Sequence, residues 1–358
     1  MKIHNFSSGP SILPDYVLRK ASEAVVNFND SGLSLLEISH RTDSFVQILE
    51  ETRELAIELL GLKNKGYKAL FLQGGASLEF VRVAYNLMNS NKKAGYIDTG
   101  RWAANAMKEA EFFGEVVTVA SSKDKDYTII PKNYSIPGKL DYLHLTSNNT
   151  IYGTQFQNFP ELDIPLVCDM SSDIFSRVLD FEKFDLIYAC AQKNVGTSGV
   201  NLIVIKEDLL NRTNTVLPNI MNYKMHIEKE SMYNTPAVFS IYVSYLTLQW
   251  IKQQGGISAM EERSKARSEL IYSEIDRNPM FYGTAAKEDR SLMNATFFLH
   301  NHKLSDYFDS LCKESGINGL KGHRTVGGYR ASMYNALPLE SVSVLVEVMR
   351  RFENIYNG

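Results

Sequence analysis

Residues 186–196 read LIYACAQKNVG, an apolar run typical of a buried strand that ends abruptly in polar residues and glycine. The run places Lys193 just past the end of the predicted strand, where burial can hold a lysine as the free amine. The free amine is the form that makes a Schiff base with a carbonyl compound. The ordinary alternative is a solvated loop lysine, because most lysines beside glycine are exposed.

A second strand end lies upstream, where residues 166–169 read LVCD and residues 170–172 read MSS. This run closes on the carboxylate of Asp169, which could also serve as the cap of a following helix. An amine and an acid at two strand ends suit pyridoxal phosphate, because the lysine would hold its aldehyde carbon and the acid would pair with its ring nitrogen. We therefore take Lys193 and Asp169 as the candidate catalytic pair.

Strand-like and helix-like segments alternate along the chain from about Lys68 onward. The strand-like runs are apolar without alternation, and amphipathic helical spacing separates them. This combination is typical of a mainly parallel sheet that is covered on both faces, so we predict an α/β fold. The predicted strands lie at residues 69–72, 95–98, 116–119, 142–145, 166–168, 186–189 and 202–205.

The pattern changes after Asn234, where helices dominate. Helical spacing predicts one helix through residues 242–252 and another at about 259–275, with Gly255-Gly256 as the break between them. The remainder predicts a smaller α+β unit. We therefore place a large domain, including the N-terminal segment, at residues 1–255 and a small C-terminal domain at residues 256–358. The elements predicted in the small domain are strands at 295–299 and 329–333, a helix at 304–315 and a closing helix.

Composition narrows the class of protein. The chain has 358 residues, enough for a full core and two domains, and its net charge of −3 provides no broad basic field for nucleic acid. Its three cysteines are scattered and fit reduced, buried thiols.

The first residues contain no apolar signal core, and the apolar stretch at 238–251 is too polar to span a bilayer. We expect a cytoplasmic protein without a membrane or nucleic-acid partner, and no Cys/His cluster predicts a metal site.

Three further motifs follow predicted strands. In QGGAS (73–77) the glycines and the amides of a following helix could bind a phosphate, or the motif could be a tight turn with Ser77 as a cap. Trp102 could stack on a planar cofactor or pack in the core. Thr150 could bond to a phenolic oxygen of the cofactor or lie in a plain turn.

The remaining candidates are for anion binding, and they are two His-Arg pairs and a single arginine. His40-Arg41 follows the apolar run 35–38, His323-Arg324 lies in KGHR (321–324), and Arg330 follows Gly327-Gly328-Tyr329. Guanidinium groups match carboxylates and phosphates bidentately, so the set could receive two anionic groups. Taken singly, each pair also fits an exposed salt-bridge former.

Together these motifs resemble the phosphoserine aminotransferases among the class V aminotransferases, in order and over nearly the whole chain. The final motif is the most specific, whereas the lysine and aspartate motifs also suit related class V enzymes. The motifs are HNFSSGP (4–10), ISHR (38–41), QGGAS (73–77), TGRW (99–102), DMSS (169–172), AQKN (191–194), YNTP (233–236) and GHRTVGGYRAS (322–332).

The resemblance implies a pyridoxal-phosphate enzyme of the aspartate aminotransferase fold type (fold type I) that works as a homodimer. It would transfer an amino group from glutamate to 3-phosphohydroxypyruvate, giving 2-oxoglutarate and O-phosphoserine. Some relatives also imply phosphohydroxythreonine as a substrate and a place in pyridoxine biosynthesis.

The family's functional residues carry over to matching positions of this sequence. Lys193 would form the Schiff base and Asp169 would pair with the pyridine nitrogen, while Trp102 would stack on the ring and Thr150 would contact its phenolic oxygen. The cofactor phosphate would be held by Ala76, Ser77 and Gln192, and by Asn234 and Thr235 from the partner subunit. The substrate's distal anion would be held by His40, Arg41, His323 and Arg324, and its α-carboxylate by Arg330.

Two positions depart from the family pattern. Some members have arginine at the position of Ser77, so the phosphate site here would depend more on backbone amides. Glutamate usually precedes the threonine that matches Thr150, whereas this chain has Asn149.

Three other functions stay open. A cysteine desulfurase-like lyase would need an exposed nucleophilic cysteine, but two of the cysteines fall in predicted strands and Cys312 in a predicted helix. An alanine–glyoxylate type of transaminase has little use for two His-Arg pairs. A catalytically silent binding protein on the same fold is disfavoured by the presence of both Lys193 and Asp169.

Overall fold

The computed structural model describes residues 2–212 and 216–356, and the strands predicted between residues 69 and 205 all form in it. Short pairings that have no clear sequence pattern add several strands to them. The strands are β1 (His4–Asn5), β2 (Tyr67–Leu72), β3 (Lys93–Asp98), β4 (Glu115–Ser121), β5 (Leu143–Thr146), β6 (Asn148–Asn149), β7 (Thr154–Gln155), β8 (Leu166–Asp169), β9 (Leu186–Cys190), β10 (Asn201–Lys206), β11 (Phe281–Gly283), β12 (Asn294–Leu299), β13 (Ile317–Asn318) and β14 (Tyr329–Ser332).

The helices that were predicted also form, and two N-terminal helices precede the first long strand. The helices are α1 (Asp15–Val26), α2 (Asp43–Leu59), α3 (Gly75–Leu87), α4 (Arg101–Ala110), α5 (Tyr223–Glu228), α6 (Val238–Gln253), α7 (Gly256–Arg277), α8 (Ser305–Glu314) and α9 (Leu339–Tyr356).

A seven-stranded sheet forms the centre of the molecule, in the order β2-β10-β9-β8-β5-β3-β4. All its pairings are parallel except those of β10, which runs antiparallel to both β2 and β9. The α/β class with a mainly parallel sheet is therefore confirmed.

Helices cover both faces of this sheet, which explains why its strands are apolar without alternation. Along β9, Leu186 and Tyr188 pack in a core with residues of α3 and α4. Ile187 and Ala189 point to the opposite face and pack in a core with residues of α2 and α6. Buried apolar surface on two sides stabilises the strands, whose ends carry the polar motifs.

The C-terminal part has its own antiparallel sheet, in the order β11-β12-β14. A separate hydrophobic core joins this sheet to α7, α8 and α9. The N-terminal strand belongs to the same region, because β1 pairs with β13 in parallel and Phe6 is fully buried in that core. The segment that follows Phe6 consequently starts from the C-terminal core and runs back towards the large sheet.

The parallel strands β3, β5, β8 and β9 end at one edge of the large sheet, because parallel strands share their direction. Ligand sites in such sheets lie beyond the carboxyl ends of the strands. Trp102, Thr150, Asp169 and Lys193 all lie at or just past these ends. None of the helices in residues 2–212 and 216–356 combines the length and apolar composition that crossing a membrane requires.

Candidate active site

Asp169 and Lys193 lie on neighbouring strands of the sheet. Asp169 ends β8 and is the register partner of Tyr188 in β9, and Lys193 follows the end of β9 by a few residues. Asp169 is only 4% exposed, and this burial raises the pKa of its carboxyl group. The N–H of Ser171 donates to Asp169 Oδ1 over 2.9 Å, and this bond and the charge of Lys193 oppose the rise. The amine of Lys193 is therefore close enough to Asp169 for its charge to act on the carboxylate.

The N-terminal segment fixes the backbone of Lys193. Ser11 N donates to Gln192 O over 2.9 Å, and Ser11 Oγ donates to Lys193 O over 2.7 Å. Gly9 has a φ of +143° and lies so close that a Cβ there would be 3.7 Å from Lys193 Cγ. The segment thus packs along the lysine stem. The sequence alone gives no role to the HNFSSGP motif (4–10) and to Ser11 after it, because Ser11 and Lys193 are 182 positions apart.

Asn149 holds together two loops at the same edge of the sheet. Its Nδ2 donates to the carbonyl of Thr99, and its Oδ1 accepts from Ile151 N over 3.2 Å. On the same loops, Trp102 Nε1 donates to Thr150 Oγ1 over 3.2 Å. The departure at Asn149 therefore leaves no gap in the local hydrogen bonding, since the amide bonds to both loops.

The QGGAS motif forms a strand-to-helix turn, as predicted. Gly74 has a φ of +129° and Gly75 a φ of +66°, conformations that favour glycine. α3 begins at Gly75 without a capping side chain, and the first N–H groups of a helix have no partners within it. The first amides of α3, including those of Ala76 and Ser77, are therefore available to an anion.

Arg330 lies between the N-terminal segment and the Thr150 loop. It is only 8% exposed, and burial lowers the pKa of its guanidinium. Nη1 donates to Thr150 O over 3.0 Å and Nη2 donates to Ser8 Oγ over 2.6 Å, whereas the buried Nε has no partner among the described residues. Both contacts join parts of the chain that lie far apart in sequence. Arg330 forms no ion pair with any other residue that the structure describes, so its charge is left for a bound anion.

The two His-Arg pairs lie on separate loops, one before α2 and the other between β13 and β14. His323 Nδ1 lies 2.7 Å from Thr325 Oγ1, and His323 is close enough to Arg324 and Arg330 for both to lower its pKa, although burial has the larger effect. His40 and Arg41 lie on the loop before α2, and no hydrogen bond or ion pair between described residues joins them to His323 or Arg330.

Asn234 and Thr235 are exposed and lie beside the QGGAS turn. Asn234 Nδ2 donates to Gln73 Oε1 over 2.8 Å. The pair therefore lies near the turn of its own chain.

The three cysteines offer no exposed nucleophile. Cys168 and Cys190 lie in strands and Cys312 in α8, and all three are buried. Burial raises the pKa of Cys312 to about 12 and that of Cys168 well above its ordinary value. A cysteine-based lyase reaction therefore finds no support in this site.

Comparison with known proteins identifies the class that this fold and site define. The family model described as aminotransferase class-V matches residues 3–345. The chain belongs to the class-V aminotransferase family.

Within this family, the chain is similar to phosphoserine aminotransferases. The phosphoserine aminotransferase of Flavobacterium psychrophilum is 62% identical over 354 residues, covering 99% of each chain. That of Parabacteroides distasonis is 52% identical over 355 residues, again covering 99% of each chain. The solved phosphoserine aminotransferase from Bacillus circulans subsp. alkalophilus superposes with a TM-score of 0.96 at 40% identity, covering 100% of this chain and 99% of that one.

Proposed function

We propose that this protein is a pyridoxal-phosphate-dependent aminotransferase that converts 3-phosphohydroxypyruvate and L-glutamate to O-phospho-L-serine and 2-oxoglutarate. The observation that carries the proposal is the buried Asp169 beside the partly buried Lys193 at the ends of adjoining strands. Arg330 contacts the same N-terminal segment that holds the backbone of Lys193. Relatives that match nearly the full length of the chain and are named phosphoserine aminotransferases support the choice of substrate.

The site suits pyridoxal phosphate in charge and in shape. Asp169 supplies a buried acceptor for a protonated ring nitrogen, and the first amides of α3 supply donors for a phosphate. When bound, the cofactor supplies an aldehyde for a covalent bond to an amine and a ring that accepts electrons. The residues that would hold it are Ala76, Ser77, Trp102, Thr150, Asp169, Gln192, Lys193, Asn234 and Thr235.

Lys193 and Asp169 would divide the chemistry between them. Lys193 Nζ would take the proton from the substrate Cα as a general base, which is why its backbone must be held in place by Ser11. Asp169 would keep a proton on the ring nitrogen, since its buried carboxylate gains from a nearby cation.

Arg330 would bind the substrate α-carboxylate. Its fork already spans Ser8 and Thr150, so a carboxylate bound to it would lie at the edge where the strands end. Bidentate binding fixes the rotation of the substrate about Cα and so aligns the bond to be broken.

A coupled assay of amino donors tests the proposed substrate directly. O-Phospho-L-serine and L-glutamate should both convert the cofactor to its amino form, whereas L-serine and L-alanine should be slower by about 100-fold or more, because a buried or half-buried cation loses its partner without the distal anion. Equal rates with phosphoserine and alanine would contradict the proposal and would favour an alanine–glyoxylate type of enzyme. A purified protein that binds no cofactor would favour a silent binding protein.

The proposal includes a homodimer, in which a second copy of the chain completes the set of anion-binding residues. His40 and Arg41 follow an exposed apolar segment in which Leu33 is 50% and Leu36 is 63% exposed. A second copy of the chain would cover that segment and bring the His-Arg pair to the partner's site. We also propose that Asn234 and Thr235 reach the partner's phosphate site.

Mixing two inactive variants tests this assembly. Chains with Lys193→Ala and chains with Arg41→Ala should each be impaired alone. After they are unfolded and refolded together, roughly a quarter of the wild-type activity should return, because half of the dimers are mixed and each has one complete site. No recovery in a sample that sedimentation shows to be dimeric would place Arg41 in the site of its own chain.

Three finer points complete the proposal. The chain would divide into domains between residues 255 and 256, where α7 begins, with the N-terminal strand crossing to the small domain. The reduced, buried cysteines support a cytoplasmic enzyme of serine biosynthesis. 4-Phosphohydroxy-L-threonine, which carries the same phosphate and α-amino acid groups, would be a second substrate in pyridoxine biosynthesis.

A further inference from the structure

Arg101 is a half-buried cation at the edge of the candidate site. It is the first residue of α4 and directly precedes Trp102, whose indole bonds to Thr150. Among the described residues, no carboxylate lies within ion-pair distance of its guanidinium. A partly exposed arginine without an acidic partner has its guanidinium free to bind an anionic ligand.

The surroundings of Arg101 are cationic. Burial lowers the pKa of His323, and Arg101 lowers it further, with a stronger effect than Arg330 or Arg324. Arg101 also opposes the rise that burial causes in the pKa of Tyr152. The hydrogen bonds agree with this neighbourhood, because Trp102, the next residue in α4, donates to Thr150 Oγ1 and Arg330 Nη1 donates to Thr150 O.

The nearby acids do not neutralise Arg101. Asp98 and Asp126 both raise the pKa of Tyr152, so they lie in the same neighbourhood. Asp98 Oδ2 accepts from Ser121 Oγ over 2.9 Å and from Tyr127 Oη over 3.2 Å, and neither acid forms an ion pair with Arg101 in the part of the chain that the structure describes. The charged groups that act on His323 are the three arginines Arg101, Arg330 and Arg324.

An extra cation here has a consequence for substrate choice. A phosphate monoester carries close to two negative charges at neutral pH, whereas the side-chain carboxylate of glutamate carries one. Each additional arginine beside the distal group therefore favours the phosphorylated substrate over glutamate.

We propose that Arg101 is a specificity-determining residue that binds the distal phosphate of the substrate together with His323 and Arg324, an assignment that rests on the proposed function. Arg101 belongs to α4, which follows β3 of the large sheet, whereas His323 and Arg324 lie on a loop of the C-terminal part. The phosphate would then be held between α4 and the C-terminal loop at 321–328.

The test compares Arg101→Met with Lys108→Met, which removes one exposed charge from the same helix. Each half-reaction is followed through the absorbance of the bound cofactor, with O-phospho-L-serine and L-glutamate as separate donors. Inorganic phosphate serves as an inhibitor of the glutamate half-reaction. For Arg101→Met, we expect the dissociation constant of phosphoserine and the inhibition constant of phosphate to rise about ten- to 100-fold, and that of glutamate by less than about threefold. Lys108→Met should match the wild type.

Equal losses for phosphoserine and glutamate, or no loss for either, would overturn the assignment. If Arg101→Met does not bind the cofactor, the same measurements are made on Arg101→Lys. This variant keeps the positive charge but loses the bidentate guanidinium. A loss selective for phosphoserine would then support the assignment, and wild-type values for both donors would overturn it. If the wild-type protein does not react with phosphoserine, the proposed function is wrong. The inhibition constant of phosphate, compared between the wild type and Arg101→Met, would still show whether Arg101 binds phosphate.

Discussion

Lys193→Ala is expected to lower the transamination rate by about 10⁴-fold or more, because the chain loses both its covalent attachment point and its general base. Borohydride treatment should leave cofactor covalently bound to the wild-type protein and none bound to the variant. Mass spectrometry of the reduced proteins measures this directly.

Two further variants make the result specific to the amine. Lys193→Arg keeps a cation near Asp169 but offers no amine that can form the attachment, so it should fail as Lys193→Ala does. Lys229→Ala, at an exposed position after α5, should behave as the wild type. A reduced adduct that persists in Lys193→Ala would move the attachment to another lysine.

Asp169→Asn is expected to lower kcat/KM by about 10²- to 10³-fold, since asparagine keeps the shape and the acceptor for Ser171 N but not the charge. The other buried carboxylate nearby, Asp173, is paired with Arg177 over 3.0 Å and so does not replace that charge. Steady-state kinetics measure the loss, and Asp163→Asn, at an exposed loop position before β8, is the control. Wild-type kinetics in Asp169→Asn would remove the ring-nitrogen role.

The affinity for pyridoxal phosphate is expected to depend on pH through the carboxyl group of Asp169. Burial raises the pKa of Asp169 in the protein without cofactor, and a cationic ring nitrogen would lower it again. The affinity for the cofactor should therefore be highest above the raised pKa and should fall as the pH drops through it. Titration of the apoprotein with pyridoxal phosphate at several pH values should show this fall in the wild type. Asp169→Asn has no carboxyl group to titrate there, so a fall of equal size in the variant would contradict the assignment.

Much of the fold follows from local pattern. The strands that carry Lys193 and Asp169 are short apolar runs without alternation, and burial on both faces is the physical reason for that composition. The direction of β10 does not follow from its composition. Although β10 is antiparallel to both neighbours, its residues are as apolar as those of the parallel strands, because it too lies inside the sheet. The pairing of β1 with β13 involves two residues on each side, too few for any pattern.

Some residues of the candidate site were also predicted from the sequence, whereas their contacts were not. Trp102, Thr150, Asp169 and Lys193 were predicted because each follows a strand, and a parallel sheet brings strand ends to one edge. The partners of these residues were not predicted. Ser8 and Ser11 contact Arg330 and Lys193 from the other end of the chain, and Arg101 lacked a role until its neighbours were known.

The sequence by itself determined the chemical types at the strand ends, because a polar residue that closes a buried run is visible in one dimension. Only the tertiary structure decided which of these residues meet and which cations lack an acidic partner among the described residues. Such contacts join residues far apart along the chain, and they depend on strand order and direction. Local composition encodes neither, since both result from how the whole chain buries its apolar surface.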